Sequence, residues 1–432
     1  MKLYGRLAAL SFVALLSQVN ALAADPLPRG DPARHGFSPA GLQRIDQFFA
    51  DEIARDRIPG AVVAIARQGR LVYYKAMGFQ DKQNAIPMRT DSIFGLASMT
   101  KIMVVVGALT LYEEGRLPLH SPLSNYYPQF ASMQVGVLDG NGQMRTEPAR
   151  RPITIQDLMR HTSGITYGGR GSTPIHKMWP TSSSATAYQM TGAEFMERIA
   201  KLPLLYQPGT TWDYSLSTDA LGMVVEKVTG RTLGEALRER VWSKVGMPDT
   251  FFAVPEEKRR RIAQPLPNDP ITGKPQNIRL LRETPKFECG GGCAFATAGD
   301  YIRFGQMLMN GGVLDGKRVL SPKTVEHMTS DHLGSNIKNN VAGTEPHRSR
   351  TLPRKVSSRR STLAPATGSL SLSPPSRPRV VRFTWKSKST LPFSPPALPS
   401  SQPPPFATRR MHGLYSGFVS SMITRPPWFQ PV

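Results

Sequence analysis

Between Pro346 and Val432 the chain has no aspartate and no glutamate, although the residues before it hold all 31 acidic side chains. At that earlier frequency about eight would be expected over the same length. The stretch instead carries fourteen Lys or Arg, sixteen Pro and sixteen Ser, with few apolar residues at any regular period. Those fourteen cations supply most of the formal net charge of +23. The body is therefore only mildly basic, and the high charge is not a nucleic-acid footprint. Cysteine is almost lacking as well. Cys289 and Cys293 bracket three glycines, which excludes a disulfide framework, and without a histidine cluster they make no zinc site. They read as two small buried residues at a glycine-rich strand edge, although an exported protein could join them. The sequence shows no metal-ligand spacing and no phosphate-cradling glycine loop, so neither a metal nor a cofactor is expected. Internal repeats are absent too.

Long apolar runs are scarce. The first lies at the start, where Lys2 and Arg6 precede Leu7 to Leu16 and Ala21-Leu22-Ala23 offers a small-x-small cleavage site. That run is too short to span a bilayer and reads as a bacterial secretory signal over residues 1–23, with the mature chain from about Ala24. The expected location is periplasmic or extracellular, with no membrane span after cleavage.

The second run, Ile102 to Leu111, follows Ser98-Met99-Thr100-Lys101 directly. It is apolar all round, as a helix buried in a core is, and Gly115 stands where a left-handed residue ends such a helix. Ser98 then lies at the helix start with Lys101 one turn on, on the same face. A serine hydroxyl attacks a carbonyl only once a neighbouring base takes its proton, and a buried lysine can do so. Taken alone, such a tetrad is as often a capping serine and a solvated lysine. Tyr214 adds to it. The turn Gln207-Pro208-Gly209 delivers Trp212-Asp213-Tyr214-Ser215-Leu216 from a loop, ahead of a helical pattern that closes at Gly230. A tyrosine held as phenolate beside a cationic lysine is a competent general base for serine.

Three segments in order, LASMTK around Ser98, LMRHTSG from Leu158 to Gly164, and YQPGTTWDYSLSTDALG from Tyr206 to Gly222, resemble the serine hydrolases related to class C β-lactamases. That group includes DD-peptidases and family VIII carboxylesterases. Gly290 to Gly312 is similar to its glycine-rich turn, Ser/Thr-Ala-x-Asp helix start and amphipathic helix. Tyr-Ser-Leu stands where β-lactamases tend to carry Tyr-x-Asn, and looks more like the esterases. The resemblance implies an α/β (α+β) β-lactamase/transpeptidase-like fold, an antiparallel sheet flanked by helices plus a mostly helical second lobe. It also implies Ser98 as nucleophile, assisted by Lys101 and Tyr214, acting on a small ester or amide through an acyl-enzyme. His161, Ser163, Trp212 and Ser215 are candidates for the substrate pocket, with the His161 ring expected to bond nearby backbone.

Local patterns fit that frame. Ser38 should cap a helix to about Arg57 with Leu42, Ile45, Phe48, Phe49 and Ile53 on its apolar face, and Gln68-Gly69 should turn a hairpin. Residues 116–260 should carry the helical lobe. The hydrolase domain is expected over 24–345 and the basic Pro/Ser-rich tail over 346–432. The tail can be read as a genuine disordered segment that binds anionic surfaces, as a rigid linker, or as translation out of frame from near Glu345. We take the last. The family's third motif, a Lys-Thr-Gly, His-x-Gly or Trp-x-Gly strand carrying one oxyanion donor, is due there. Only Trp385 approaches it, with Ser387 where glycine should stand. C-terminal strands are then expected to be missing, and the chain as written is expected not to fold into an active enzyme. The function expected is an exported carboxylesterase. The alternatives are a β-lactamase or DD-peptidase, or a non-catalytic binder of peptidoglycan or anionic surfaces.

Overall fold

The computed structural model describes residues 25–276 and 283–340, together with the backbone of Ser369–Leu370, Phe383–Thr384 and Ser420–Ile423. Residues 1–24, on which the expected secretory signal falls, and Trp385 lie outside the described residues. Helix α1, Pro39–Ala54, begins where the Ser38 side chain accepts from the Gly41 N–H, removing one of the unpaired donors of a helix start. Phe49 is buried, whereas Phe48 is 56% exposed, so the apolar face is narrower than expected and Phe48 lies off it. Strands β1, Gly60–Arg67, and β2, Arg70–Asp81, form an antiparallel hairpin. Its two turn residues, Gln68 at φ 53° and Gly69 at φ 75°, are both left-handed, the backbone that matches the twist of the flanking strands.

Every residue of β1 but Arg67 is buried, because both faces are covered. Ala61, Val63 and Ile65 pack with Phe49, Val72 and Tyr73 beneath α1. The alternate residues Val62, Ala64 and Ala66 join the main core. The sheet runs in the order Ser420–Ile423, β1, β2, then β3, Ile86–Pro87. Here the expectation that the tail contributes no strand is corrected. Ser420–Ile423 lies antiparallel on β1, from Ala61 opposite Ile423 to Ala64 opposite Ser420. A ladder is made by backbone N–H and C=O groups, so a biased composition does not forbid it. Strand β4, Ile93–Gly95, pairs antiparallel with Phe295–Thr297, and Gly95 leads into the site.

Helix α2, Thr100–Glu113, runs through the centre of the molecule, with Met103, Val104, Val106, Leu109 and Leu111 no more than 2% exposed. It ends as expected, Gly115 taking φ 70°. The helical lobe is present, with Ser217–Thr229 packed on α2 and closed by Gly230 at φ 69°. It also holds a hairpin that the sequence patterns did not suggest, Gln134–Leu138 with Met144–Pro148. Its turn signal, Asp139-Gly140-Asn141-Gly142, was present. Thr297 caps the helix Ala298–Met309 by accepting from the Asp300 N–H at 3.0 Å.

Candidate active site

Ser98 sits in the short turn Ala97–Met99 that opens directly into α2, and it is 2% exposed. Ala97 before it has φ 46°, a conformation that costs a residue with a β-carbon about 1–2 kcal/mol. That cost is borne at the residue that aims the serine. The Tyr214 hydroxyl donates to Ser98 Oγ in a short hydrogen bond. Lys101, one turn along α2 and 3% exposed, reaches Ser98 Oγ at 3.4 Å, Tyr167 Oη at 3.4 Å and the Gly291 carbonyl at 2.5 Å. Its ammonium nitrogen lies 4.5 Å from the centre of the Tyr214 ring, a favourable cation–π contact. The three residues singled out from sequence therefore meet at one point.

Tyr214 is held by its neighbours. Trp212 stacks 6.4 Å from it, and the rings of His161 and Tyr167 lie 5.1 and 5.6 Å away. Its backbone is fixed from the preceding residue, since the Asp213 N–H donates to the His161 carbonyl at 2.9 Å. The Asp213 carboxylate accepts from Thr166 at 2.8 Å and Asn340 at 3.0 Å, and pairs with Arg170 at 3.6 Å. Burial pushes the Asp213 carboxyl above its usual range, opposed by Arg170.

His161 was expected to bond backbone. Instead its Nδ1 meets Ser215 Oγ at 3.1 Å, Ser215 meets Ser217 at 2.7 Å, and Ser217 meets Ser163 at 2.8 Å. The buried hydroxyls form a chain that satisfies the ring without a carbonyl. Ser163 and Ser215 thus brace the His161 ring through Ser217. Burial, reinforced by the charges of Lys101 and Arg170, lowers the His161 pKa to about 3. Its folded pKa lies below the unfolded value, so the unfolded chain binds the extra proton between about pH 6.5 and 3. Stability should then fall as the pH drops through that window, by up to about 1.4 kcal/mol per pH unit. Urea unfolding at pH 7 and pH 5 checks this, with His161→Gln expected to show a smaller pH dependence.

Four residues of the site went unnoticed in the sequence: Tyr167, Ser183, Asp219 and Gly291. Tyr167 Oη bonds Ser183 Oγ at 2.8 Å, Ser183 donates to Asp219 Oδ2 at 2.7 Å, and Asp219 Oδ1 accepts from the Gly291 N–H at 2.8 Å. Gly291 returns the path to Lys101 through its carbonyl. Burial drives the Tyr167 phenol well above its usual range, so it stays a neutral hydroxyl. Cys289 and Cys293 on either side of this turn are joined in a disulfide, with Cα atoms 5.3 Å apart. The reading of two small unjoined residues is therefore corrected to the joined pair that the sequence also allowed, since the three-glycine turn folds back far enough to bring the sulfurs together.

The beta-lactamase family model matches residues 45–348. The chain belongs to that family. Esterase EstB of Burkholderia gladioli is 34% identical over 254 residues, 58% of this chain and 60% of its own. Lovastatin esterase of Penicillium rubens is 33% identical over 312 residues, covering 67% and 73%. Among solved structures, simvastatin synthase LovD from Aspergillus terreus aligns with a TM-score of 0.59 at 25% identity, over 68% of this chain and 74% of its own. The fold is the β-lactamase/transpeptidase-like one, and the family relatives are serine hydrolases. Among the described residues no cluster of side chains could hold a metal ion, and no helix is long and apolar enough to cross a membrane.

Proposed function

We propose that this serine hydrolase is an exported carboxylesterase, with Ser98 as nucleophile and Lys101 and Tyr214 as its proton-transfer pair. The contact of Tyr214 and Lys101 with Ser98 Oγ carries the reading. Once Tyr214 has given up its own hydroxyl proton, its oxygen accepts the proton of Ser98 as Ser98 attacks the ester carbonyl, with the Lys101 ammonium lying against the Tyr214 ring. Tyr214 then returns the proton to the leaving alkoxide. The acyl group stays on Ser98 until a water, deprotonated by the same pair, releases the acid. His161, neutral above about pH 3, adds no charge beside Lys101, and with Trp212 it keeps the Tyr214 ring in place.

The preference for esters rests on Ser215 and Leu216, the two residues after the tyrosine. Where a β-lactamase tends to offer an asparagine, Leu216 is fully buried and Ser215 is engaged with His161 and Ser217. This segment presents no amide to an acylamino substrate. The esterase relatives point the same way. Ser98, Lys101 and Tyr214 all precede the unusual tail, whereas the second oxyanion donor is due within it, so acylation of the full chain should be detectable but slow. A missing second oxyanion donor would slow turnover by roughly 10²–10³-fold. Parallel assays with p-nitrophenyl butyrate and a chromogenic cephalosporin test the preference. The ester should show the higher kcat/KM, and an equal or higher value for the cephalosporin would move the reading to a β-lactamase.

A further inference from the structure

We propose that the disulfide-closed turn Cys289–Cys293, together with Asp219, is the seat that positions Lys101 for catalysis, and that opening the disulfide weakens acylation. This rests on the reading of Ser98 and Lys101 given above.

The Gly291 peptide is gripped from both ends. Its carbonyl takes the shortest hydrogen bond of Lys101, at 2.5 Å against 3.4 Å to Ser98, and its N–H is held by the buried Asp219 carboxylate at 2.8 Å. Whatever moves this peptide moves the lysine nitrogen relative to Ser98 Oγ. The turn also has no slack on its inner side. A β-carbon on Gly291 would stand 2.2 Å from Ser183 Oγ and 2.3 Å from Asp219 Oδ2, and one on Gly290 would stand 2.5 Å from the Thr218 carbonyl. Only a chain without side chains can lie this close to the Ser217–Thr229 helix. Three successive glycines are also the most flexible sequence available, and their conformational freedom opposes the fixed geometry. The disulfide removes that freedom at both ends of the turn. Inside it, the Cys293 N–H donates to the Cys289 carbonyl at 3.2 Å.

Across so few residues a disulfide adds little global stability, which makes a local role the better account of it. Asp219 completes the seat. It is 1% exposed, and a carboxylate so buried requires hydrogen bonds and a counter-charge. Ser183 and Gly291 give the first and Lys101 the second. Asp219, Ser183 and Gly291 act through Lys101 and are positioning groups.

Opening the seat is a two-electron reduction. A thiolate of an added dithiol attacks one sulfur and the Cys289–Cys293 bond breaks. Two protons end on the two cysteines, and the dithiol closes to its own disulfide. Both cysteines are fully buried, so the reaction proceeds through local opening of the turn.

The test measures the rate of fluorophosphonate labelling of the full chain against pH. It compares the oxidised protein, the protein reduced with dithiothreitol, and the Cys289→Ala/Cys293→Ala variant, whose alanines keep the site apolar. Asp219→Asn, which keeps an oxygen for the Gly291 N–H but removes the charge, serves as a second probe. We expect labelling to slow about 10- to 100-fold on reduction and in the double variant, with a displaced pH profile and an unchanged cooperative melt by circular dichroism. Reoxidation should restore the rate in step with the disulfide, followed by mass spectrometry. Equal rates and superimposable pH profiles would overturn the seat while leaving Ser98 as nucleophile. A rate that falls only together with the cooperative melt would show a merely structural disulfide and equally overturn it. Should the double variant not fold, the reduced and reoxidised wild type decides by the same criteria. If the oxidised wild type labels no faster than Ser98→Ala, the nucleophile assignment itself fails and the seat falls with it.

Discussion

Lys101→Ala and Tyr214→Phe should each slow the acylation of Ser98 by about 10²–10⁴-fold, the range a positioned proton-transfer group supplies. The double variant should be little worse than the more damaging single one. Lys101 Nζ and Tyr214 Oη both engage Ser98 Oγ, and Lys101 lies against the Tyr214 ring. Groups that act as one unit give strongly non-additive losses. Tyr214→Phe keeps the ring that packs with His161, Tyr167 and Trp212, so its melt should hardly change. Lys101→Ala also leaves Asp219 without its counter-charge, so a loss of stability should accompany the loss of rate. Stopped-flow labelling of the four proteins, with their melts, checks the prediction. Multiplying losses would mean that the two residues serve Ser98 independently.

Asp157→Ala should be the most destabilising single change outside the core, by about 3–5 kcal/mol, or a melting temperature lower by on the order of 10 °C. The Asp157 side chain is fully buried and accepts from Arg151 at 2.6 and 2.9 Å, from Thr162 at 2.6 Å and from Arg160 at 3.2 Å. It also closes the capping box with Thr154 at the start of Ile155–Met159. Removing it takes the counter-charge from Arg151 and Arg160, which keep only hydrogen bonds to the Pro152 carbonyl and to Thr162 and the His332 carbonyl, beside the HTSG segment that carries His161. Burial pushes its carboxyl up, but the hydrogen bonds from Arg151, Thr162 and Thr154 outweigh this and hold it at about 2. A carboxylate held below its unfolded value contributes fully above about pH 4 and loses that contribution as the pH falls toward 2, some 2 kcal/mol in all. Calorimetry of the wild type and Asp157→Ala at pH 7 checks the magnitude, and a difference under 1 kcal/mol would contradict it.

The features legible in the sequence were those fixed by local chemistry. The all-round apolar run of α2 meant burial and Gln68-Gly69 meant a hairpin, while the helix start at Thr297 came from the family resemblance. Ser98 and Lys101 share one turn, so their meeting follows from helix geometry alone. Tyr214 was placed by a motif rather than by geometry. The groups that hold Lys101 come from separate segments around residues 167, 183, 219 and 291. No spacing links a tyrosine after HTSGI to an aspartate in a helix 52 positions later, so only the folded chain reveals the ring they form. The disulfide stays only an alternative in the sequence, because joining cysteines across three glycines depends on how the turn folds back. Phe48 and Phe49 both fit the apolar face of the sequence pattern, yet neighbours on a helix point about 100° apart and one of them must lean outward.

The central claim is that Ser98 is the nucleophile. Its most direct measurement is peptide mapping, by mass spectrometry, of the adduct formed when the full chain reacts with a fluorophosphonate. The account predicts a single adduct on Ser98 and none in Ser98→Ala. An adduct on Ser163 or Ser215, both buried within the hydroxyl chain beside His161, would contradict it.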